Sequence, residues 1–218
     1  MKKSPLTPRA CAVLAEYGLD FSVLENSMLF RYDSGETILK QGTPVEALFV
    51  LLNGKVKVHM LAANGKDLTL CYYLDSGILG DVEFVQEDPS ASATSVAVFQ
   101  TDCIAIPLKS NRETLNRNVM FMNHVAKGLS EKLINSSYYH MTSVLYTGEE
   151  RLCTYILMAE HNSVFSEILS DVSKSVGVSY RHLFRMLNTL CQKGVLKKSE
   201  SGFVILDKHY LIEKCTHM

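Results

Sequence analysis

Apolar positions along this chain change their period twice. Between Met28 and Pro107 they come as short runs rich in Val, Leu, Phe and Tyr: Met28–Tyr32, Thr37–Leu39, Leu48–Leu52, Lys55–Leu61, Leu68–Leu74 and Cys103–Pro107. Turn-forming residues separate them at Asp33-Ser34-Gly35, Asn53-Gly54, Asn64-Gly65 and Asp75-Ser76-Gly77. Asn-Gly between two such runs signals a hairpin, because both residues tolerate the positive φ of a tight type I′ turn. Many short strands at this spacing predict a sandwich, jelly roll or barrel.

After Pro107 the period becomes helical. Leu115, Val119, Met122, Ala126, Leu129, Leu133, Ser136 and His140 recur in alternating steps of four and three, the seam spacing of a coiled coil. One long helix with one apolar seam needs a partner, either the β-domain or the same helix of a second copy. Closed two-fold dimers dominate among oligomers. The seam from Leu115 to Leu133 is therefore expected to hold a homodimer. Glu149–His161 predicts another helix, with Leu152, Tyr155, Ile156 and Ala159 on one face.

The next stretch is the most informative. A short helix over about Ser170–Val176 is expected to stop at Gly177, which accepts the positive φ of a helix C-terminus. Ser179 is placed to cap a second helix. Leu183, Met186, Leu187 and Leu190 give that helix one apolar stripe, leaving Tyr180, Arg181, Phe184, Arg185 and Asn188 on the other side. Helix, glycine turn and helix, with two arginines near the second helix's N-terminal end, is the plan of a helix-turn-helix. Arginine there can fork onto guanine, and an aromatic ring can touch a thymine methyl. Beyond Gly194, Val195–Lys198 and Phe203–Leu206 flank Glu200-Ser201-Gly202 as a β-hairpin wing, with Lys197 and Lys198 placed to meet phosphate.

Charge sharpens this picture. The chain as a whole is near neutral, with net charge −1. From Val172 to Ser199 it has no acidic residue, yet holds Lys174, Arg181, Arg185, Lys193, Lys197, Lys198 and His182. Such a basic island suits a surface that meets phosphates. At 218 residues the chain is long enough for two domains, and 47% hydrophobic with 21% charged residues excludes disordered and fibrous classes. No apolar run approaches the roughly 20 residues that span a bilayer, and the Ala10–Ala15 patch is too short for a signal-peptide core. A cytoplasmic protein without a membrane partner is expected. The six cysteines (Cys11, Cys71, Cys103, Cys153, Cys191, Cys215) form no C-x-x-C pair, so they predict reduced, mostly buried thiols.

The chain resembles the cyclic AMP receptor/fumarate–nitrate regulator (Crp/Fnr) superfamily of bacterial transcription factors. The resemblance rests on Gly177-Val178-Ser179-Tyr180 through Arg185, Leu187, Leu190 and Gly194, then Val204-Ile205-Leu206-Asp207, with Glu150-Arg151-Leu152 leading in. In the β-region it rests on Gly35-Glu36, Lys40-Gln41-Gly42, Leu48-Phe49-Val50, Asn53-Gly54-Lys55-Val56 and Gly80-Asp81. It implies an α+β protein: an N-terminal β-roll of the cyclic-nucleotide-binding jelly-roll type at 1–110, a long dimerisation helix at 111–146 and a winged helix-turn-helix at 147–218. The implied partners are double-stranded promoter DNA, a second copy of the chain and RNA polymerase. The implied DNA-binding residues are Ser179, Tyr180, Arg181, His182, Phe184, Arg185, Asn188, Lys197 and Lys198. The implied effector pocket is Gly80, Asp81, Ala91, Ser92, Ala93, Ser136 and Ser137.

Two departures from the family matter. The family's usual Arg-Glu pair after the serine is here Tyr180-Arg181, which exchanges an acceptor for a donor and alters base preference. In the nucleotide cassette, Gly-Glu is followed in the family by Arg-Ser-Ala or Arg-Thr-Ala, whose arginine pairs with the cyclic phosphate. Here Gly80-Asp81 is followed by Ala91-Ser92-Ala93, with Glu83, Glu87 and Asp88 nearby. A buried phosphate without a cation is costly, so neither cyclic AMP nor cyclic GMP is expected as ligand. One N-terminal cysteine, Cys11, does not predict an iron–sulfur cluster, and no spacing marks His59, Cys71, Cys103, His124 or His140 as haem ligands. No cofactor or metal is therefore expected. A cupin-type enzyme would need a His-x-His pair, whereas His59 is alone in the β-region, and no catalytic constellation is legible. The remaining alternative, a β-roll sensor acting only through protein partners, leaves the basic island unexplained.

Overall fold

The computed structural model describes residues 1–60, 72–86, 90–200 and 202–215, with backbone only for 72, 138–140 and 142–144. Leu61, Asn64-Gly65, Leu68, Cys71, Glu87, Asp88, Ser201 and the side chain of His140, all used above, lie outside the described residues. The described residues divide into two compact units, those up to Asn135 and those from Ser136 onward.

The first unit opens with β1 (Lys2–Ser4) and α1 (Pro8–Glu16), which Thr7 caps and Pro8 starts. Strands follow as β2 (Met28–Tyr32), β3 (Thr37–Leu39), β4 (Ala47–Asn53), β5 (Val56–His59), β6 (Tyr72–Leu74) and β7 (Ile78–Leu79). Then come α2 (Asp81–Gln86), β8 (Thr94–Ala97), β9 (Thr101–Pro107), α3 (Leu108–Arg117) and α4 (Val119–Leu145), the last running on into the second unit. All pairing is antiparallel, in a five-stranded sheet of order β1-β2-β9-β4-β7 and a four-stranded sheet of order β3-β8-β5-β6.

Strands β4 and β9 are apolar over Leu48–Leu51 and Cys103–Ile106 because both faces are covered there. Phe49, Leu51, Cys103 and Ala105 join a core that also takes Val56, Val58 and Ala97 from the four-stranded sheet. Leu48, Val50, Ile104 and Ile106 point the other way, onto Ala10, Leu14, Phe84, Leu115, Phe121 and Val125 of the helices. Alternation along a strand is preserved, but each set of side chains has its own core.

The helical region departs from a single long helix. Asn118 ends α3, and its side-chain oxygen accepts the Phe121 N–H at 3.0 Å, capping α4. Its amide also donates to the Gly18 carbonyl at 2.7 Å. Leu115 therefore sits on α3, fully buried in the roll, and cannot face a second copy. On α4 the face buried in the roll is Phe121 and Val125. The expected seam lies beside it: Met122 and Leu129 are partly covered, Ala126 is exposed, and Val119 and Leu133 are 73% and 69% exposed.

The second unit contains α5 (Gly148–Ala159), β10 (Val164–Phe165), α6 (Leu169–Val176), α7 (Tyr180–Gln192), β11 (Leu196–Ser199), β12 (Gly202–Ile205) and α8 (Lys208–Lys214). Its sheet has the order β10-β12-β11. The apolar faces read from the sequence are the ones buried: Leu152, Tyr155, Ile156 and Ala159 of α5, and Leu183, Met186, Leu187 and Leu190 of α7. Strand β10 was not legible in the sequence. It fits because Gly202, at φ +133°, lets β12 approach so closely that a β-carbon there would lie 2.3 Å from the Phe165 carbonyl oxygen.

Among the described residues no helix is long and apolar enough to cross a membrane. Of the described cysteines, Cys103 and Cys153 are buried, and Cys11, Cys191 and Cys215 are half-buried. Burial pushes the Cys103 and Cys153 thiols up to about 12, so both stay protonated and unreactive at neutral pH.

Candidate functional site

The helix-turn-helix is built as its residue types require. Helix α6 stops at Gly177, in the left-handed region at φ 69° and ψ 40°. Ser179 begins α7, its hydroxyl accepting the His182 N–H at 3.2 Å. Arg151 of α5 locks the turn in place, with Nε donating to the Val176 carbonyl at 2.8 Å and Nη1 to the Tyr146 carbonyl at 2.7 Å. Thr147 and Glu150 close a capping box at the start of α5. The Thr147 hydroxyl and amide hold the Glu150 carboxyl below its ordinary range. Each residue of Glu150-Arg151-Leu152 therefore has a role in fixing the unit: a cap, a clamp and a core side chain.

With Leu183, Met186, Leu187 and Leu190 buried, α7 turns Tyr180, Arg181, Phe184, Arg185 and Asn188 to solvent. Arg181 and Arg185, four residues apart, lie on one side of the helix. His182 is half-buried. Lys197 and Lys198 are both exposed on β11.

The basic island then splits into two kinds of cation. Lys193 donates to the Tyr210 hydroxyl at 2.7 Å and to Glu149 Oε1 at 3.2 Å, and the Tyr210 hydroxyl donates to the same carboxylate oxygen at 3.1 Å. These bonds raise the Lys193 ammonium above its usual value, the tyrosine contact first. Lys193 is thereby tied into the fold. Lys174 lies 4.0 Å from Asp171. Among the described residues, no ion pair or side-chain hydrogen bond engages Arg181, Arg185, Lys197 or Lys198. The tying-up of Lys193 was invisible in the sequence, since Glu149 and Tyr210 lie far from it along the chain.

The effector cassette is of the opposite kind. Asp81 is 2% exposed, and its Oδ1 takes a hydrogen bond from Lys132 Nζ at 2.5 Å. Lys132 donates also to the Ile78 carbonyl at 2.8 Å. Glu83 is 6% exposed and accepts both the Ser92 N–H and the Ser92 hydroxyl on one oxygen, each at 2.7 Å. Ala91 is buried, its N–H given to the Thr43 carbonyl at 2.9 Å. A cavity of about 360 Å³ opens beside Asp81, with Tyr17, His124, Lys127 and Glu131 in its wall. The Tyr17 and His124 rings meet at 5.0 Å, and burial raises the Tyr17 hydroxyl above its usual range. Gly80, Asp81, Ala91, Ser92 and Ala93 all lie in the first unit, with Asp81 turned to Lys132 and Ser92 to Glu83, whereas Ser136 and Ser137 belong to the second. Among the described residues no group of three His, Cys, Asp or Glu side chains is placed to hold a metal ion.

Residues 29–118 match the family model of the cyclic nucleotide-binding domain. A curated relative, the regulatory protein YeiL of Escherichia coli O157:H7, is 25% identical over 189 residues, covering 87% of this chain and 86% of its own. Among solved structures, FixK2 from Bradyrhizobium japonicum matches with a TM-score of 0.68 at 17% identity, covering 88% of this chain and 98% of its own. A CRP-family transcriptional regulator from Thermus thermophilus matches with a TM-score of 0.70 at 17% identity, covering 85% and 95%. The roll and winged helix described above are the fold of these two solved structures, and over most of its length the chain is similar to the regulatory protein YeiL.

Proposed function

We propose that this protein is a DNA-binding transcription regulator that holds a palindromic promoter site as a homodimer, with an effector roll that takes no cyclic nucleotide. The observation that carries the reading is the set of uncommitted cations, Arg181 and Arg185 on α7 with Lys197 and Lys198 on the wing. Arg181 and Arg185 read base edges in the major groove, with Tyr180, Phe184 and Asn188 beside them. Lys197 and Lys198 neutralise flanking phosphates, and Ser179 and His182 shape the start of the reading helix. Ala91 brings no charge to the turn where the family's arginine would meet a cyclic phosphate. The protein is not an enzyme, works in the cytoplasm and acts on promoters together with RNA polymerase.

The dimer seam is Val119, Met122, Ala126, Leu129 and Leu133 of α4, and Leu133 is the residue to test. Leu129 packs partly on the roll core, so a charge there would disturb the roll itself. Leu133→Lys places the charge at a 69% exposed position. It should give a monomer in sedimentation and weaken binding to a palindrome by about a hundredfold or more, as bivalent grip is lost. A variant that still sediments as a dimer would remove the seam from the reading.

The DNA assignment is tested by Arg185→Ala on a selected palindrome, its half-sites about 10 base pairs apart, and on random duplex. The cognate site should lose about 1–3 kcal/mol and random duplex little. Equal losses on both would make Arg185 a phosphate anchor and take α7 out of the major groove.

A further inference from the structure

We propose that Glu83 is a tethered anion seated in the roll's own anion cradle, and that it sets the effector specificity of the roll by excluding anionic ligands. The Ser92 amide and hydroxyl converge on one Glu83 oxygen, both at 2.7 Å. Two donors meeting at one point, both from the turn Ala91-Ser92-Ala93, form an arrangement that holds an oxyanion. In this chain the oxyanion is a carboxylate carried on α2, itself 6% exposed.

Charge and burial explain why the seat cannot be shared. Among the described residues Glu83 forms no ion pair, so a phosphate arriving at Ser92 would meet a fixed like charge rather than a cation. It would also have to displace two charge-assisted hydrogen bonds that leave the carboxylate nowhere else to be satisfied. Ala91 offers no compensation, because its side chain is apolar and its N–H is already given to the Thr43 carbonyl. Among the described residues a cavity does open in the roll beside Asp81, whose Oδ1 carries the bond from Lys132. The ligand class that fits a roll built this way is neutral or cationic, with hydroxyl or amine donors for carboxylate oxygens.

The inference rests on the roll being the effector domain. Its test uses inorganic phosphate without DNA, so the two can fail separately. Ser92 is exposed, so the probe can reach the cradle. Phosphate should leave the Ser92 amide resonance of the full-length wild type unmoved at millimolar concentration. In Glu83→Ala the vacated cradle should take phosphate at least about tenfold more tightly, followed at the Ser92 amide by nitrogen–proton NMR. Phosphate that moves Ser92 equally in both proteins, or in neither, overturns the proposal. Glu83→Gln keeps the side-chain volume and decides the matter should the alanine variant fail to fold. Its Ser92 amide proton should move upfield as a charged acceptor becomes a neutral one, and an unmoved resonance would show that no such bond exists.

Discussion

In the roll, Lys132 Nζ sits 2.5 Å from Asp81 and Glu83 takes both donors of Ser92, whereas Arg181, Arg185, Lys197 and Lys198 of the winged helix are exposed and, among the described residues, form no ion pair. The roll satisfies its buried Asp81 and Glu83 internally. The basic island of the winged helix sends Lys193 to Glu149 and Tyr210 and, among the described residues, leaves Arg181, Arg185, Lys197 and Lys198 without an ion pair. A surface of unneutralised charge on a rigid helix adds little to folding and suits a polyanion. A buried pair does the reverse: it is expensive to break and poorly available to a ligand. The contrast therefore separates charges held within the fold from charges exposed to solvent, without reference to any relative.

The heaviest loss should fall in the roll. Lys132→Met should strand the buried Asp81 carboxylate and cost about 3–5 kcal/mol in urea unfolding. Arg185→Ala, at an uncommitted surface position, should change stability by no more than about 0.5 kcal/mol. Comparable losses in the two variants would break the distinction.

The next test lies within the island itself. Lys193→Ala should lower the melting temperature and leave the salt dependence of DNA binding intact. Lys197→Ala should do the opposite, flattening the salt slope by roughly one unit at unchanged stability. If both change the slope alike, the hydrogen bonds of Lys193 do not withhold it from DNA.

The mildest effect concerns the capping box at the start of α5. Thr147→Ala removes a helix cap and should cost about 1 kcal/mol. Because Thr147 holds Glu150 below its ordinary value, the carboxylate's contribution is present above about pH 4 and is lost as pH falls through the depressed value. The melting temperature of the wild type should exceed that of Glu150→Gln at neutral pH, and the gap should close on acidification. A gap that is constant with pH would mean that the charge of Glu150 contributes nothing to the cap.

Several elements were legible because local chemistry decides them. Strands β2 and β3 end where the apolar runs end, Gly177 and Ser179 take the turn and cap roles their types favour, and the stripe Leu183–Leu190 is the buried face of α7. The missed elements depend on distant partners. Strand β1, with the sequence Lys-Lys-Ser, is a strand only because β2 offers it an edge. Asn118 breaks the helix because Gly18 and Phe121 satisfy its side chain from two directions.

Residue order alone settles the two kinds of period, the helix-turn-helix with its wing, the acid-free island and the absence of a phosphate-pairing arginine at Ala91. Periodicity, capping and net local charge are properties of neighbouring residues, and they survive any arrangement of the rest. Packing in three dimensions settles which face of α4 is already covered, that Lys193 of the island is spent, and that Glu83 takes both donors of Ser92. Those depend on side chains brought together from far along the chain, where burial raises the cost of leaving a charge unpaired and selects its partner.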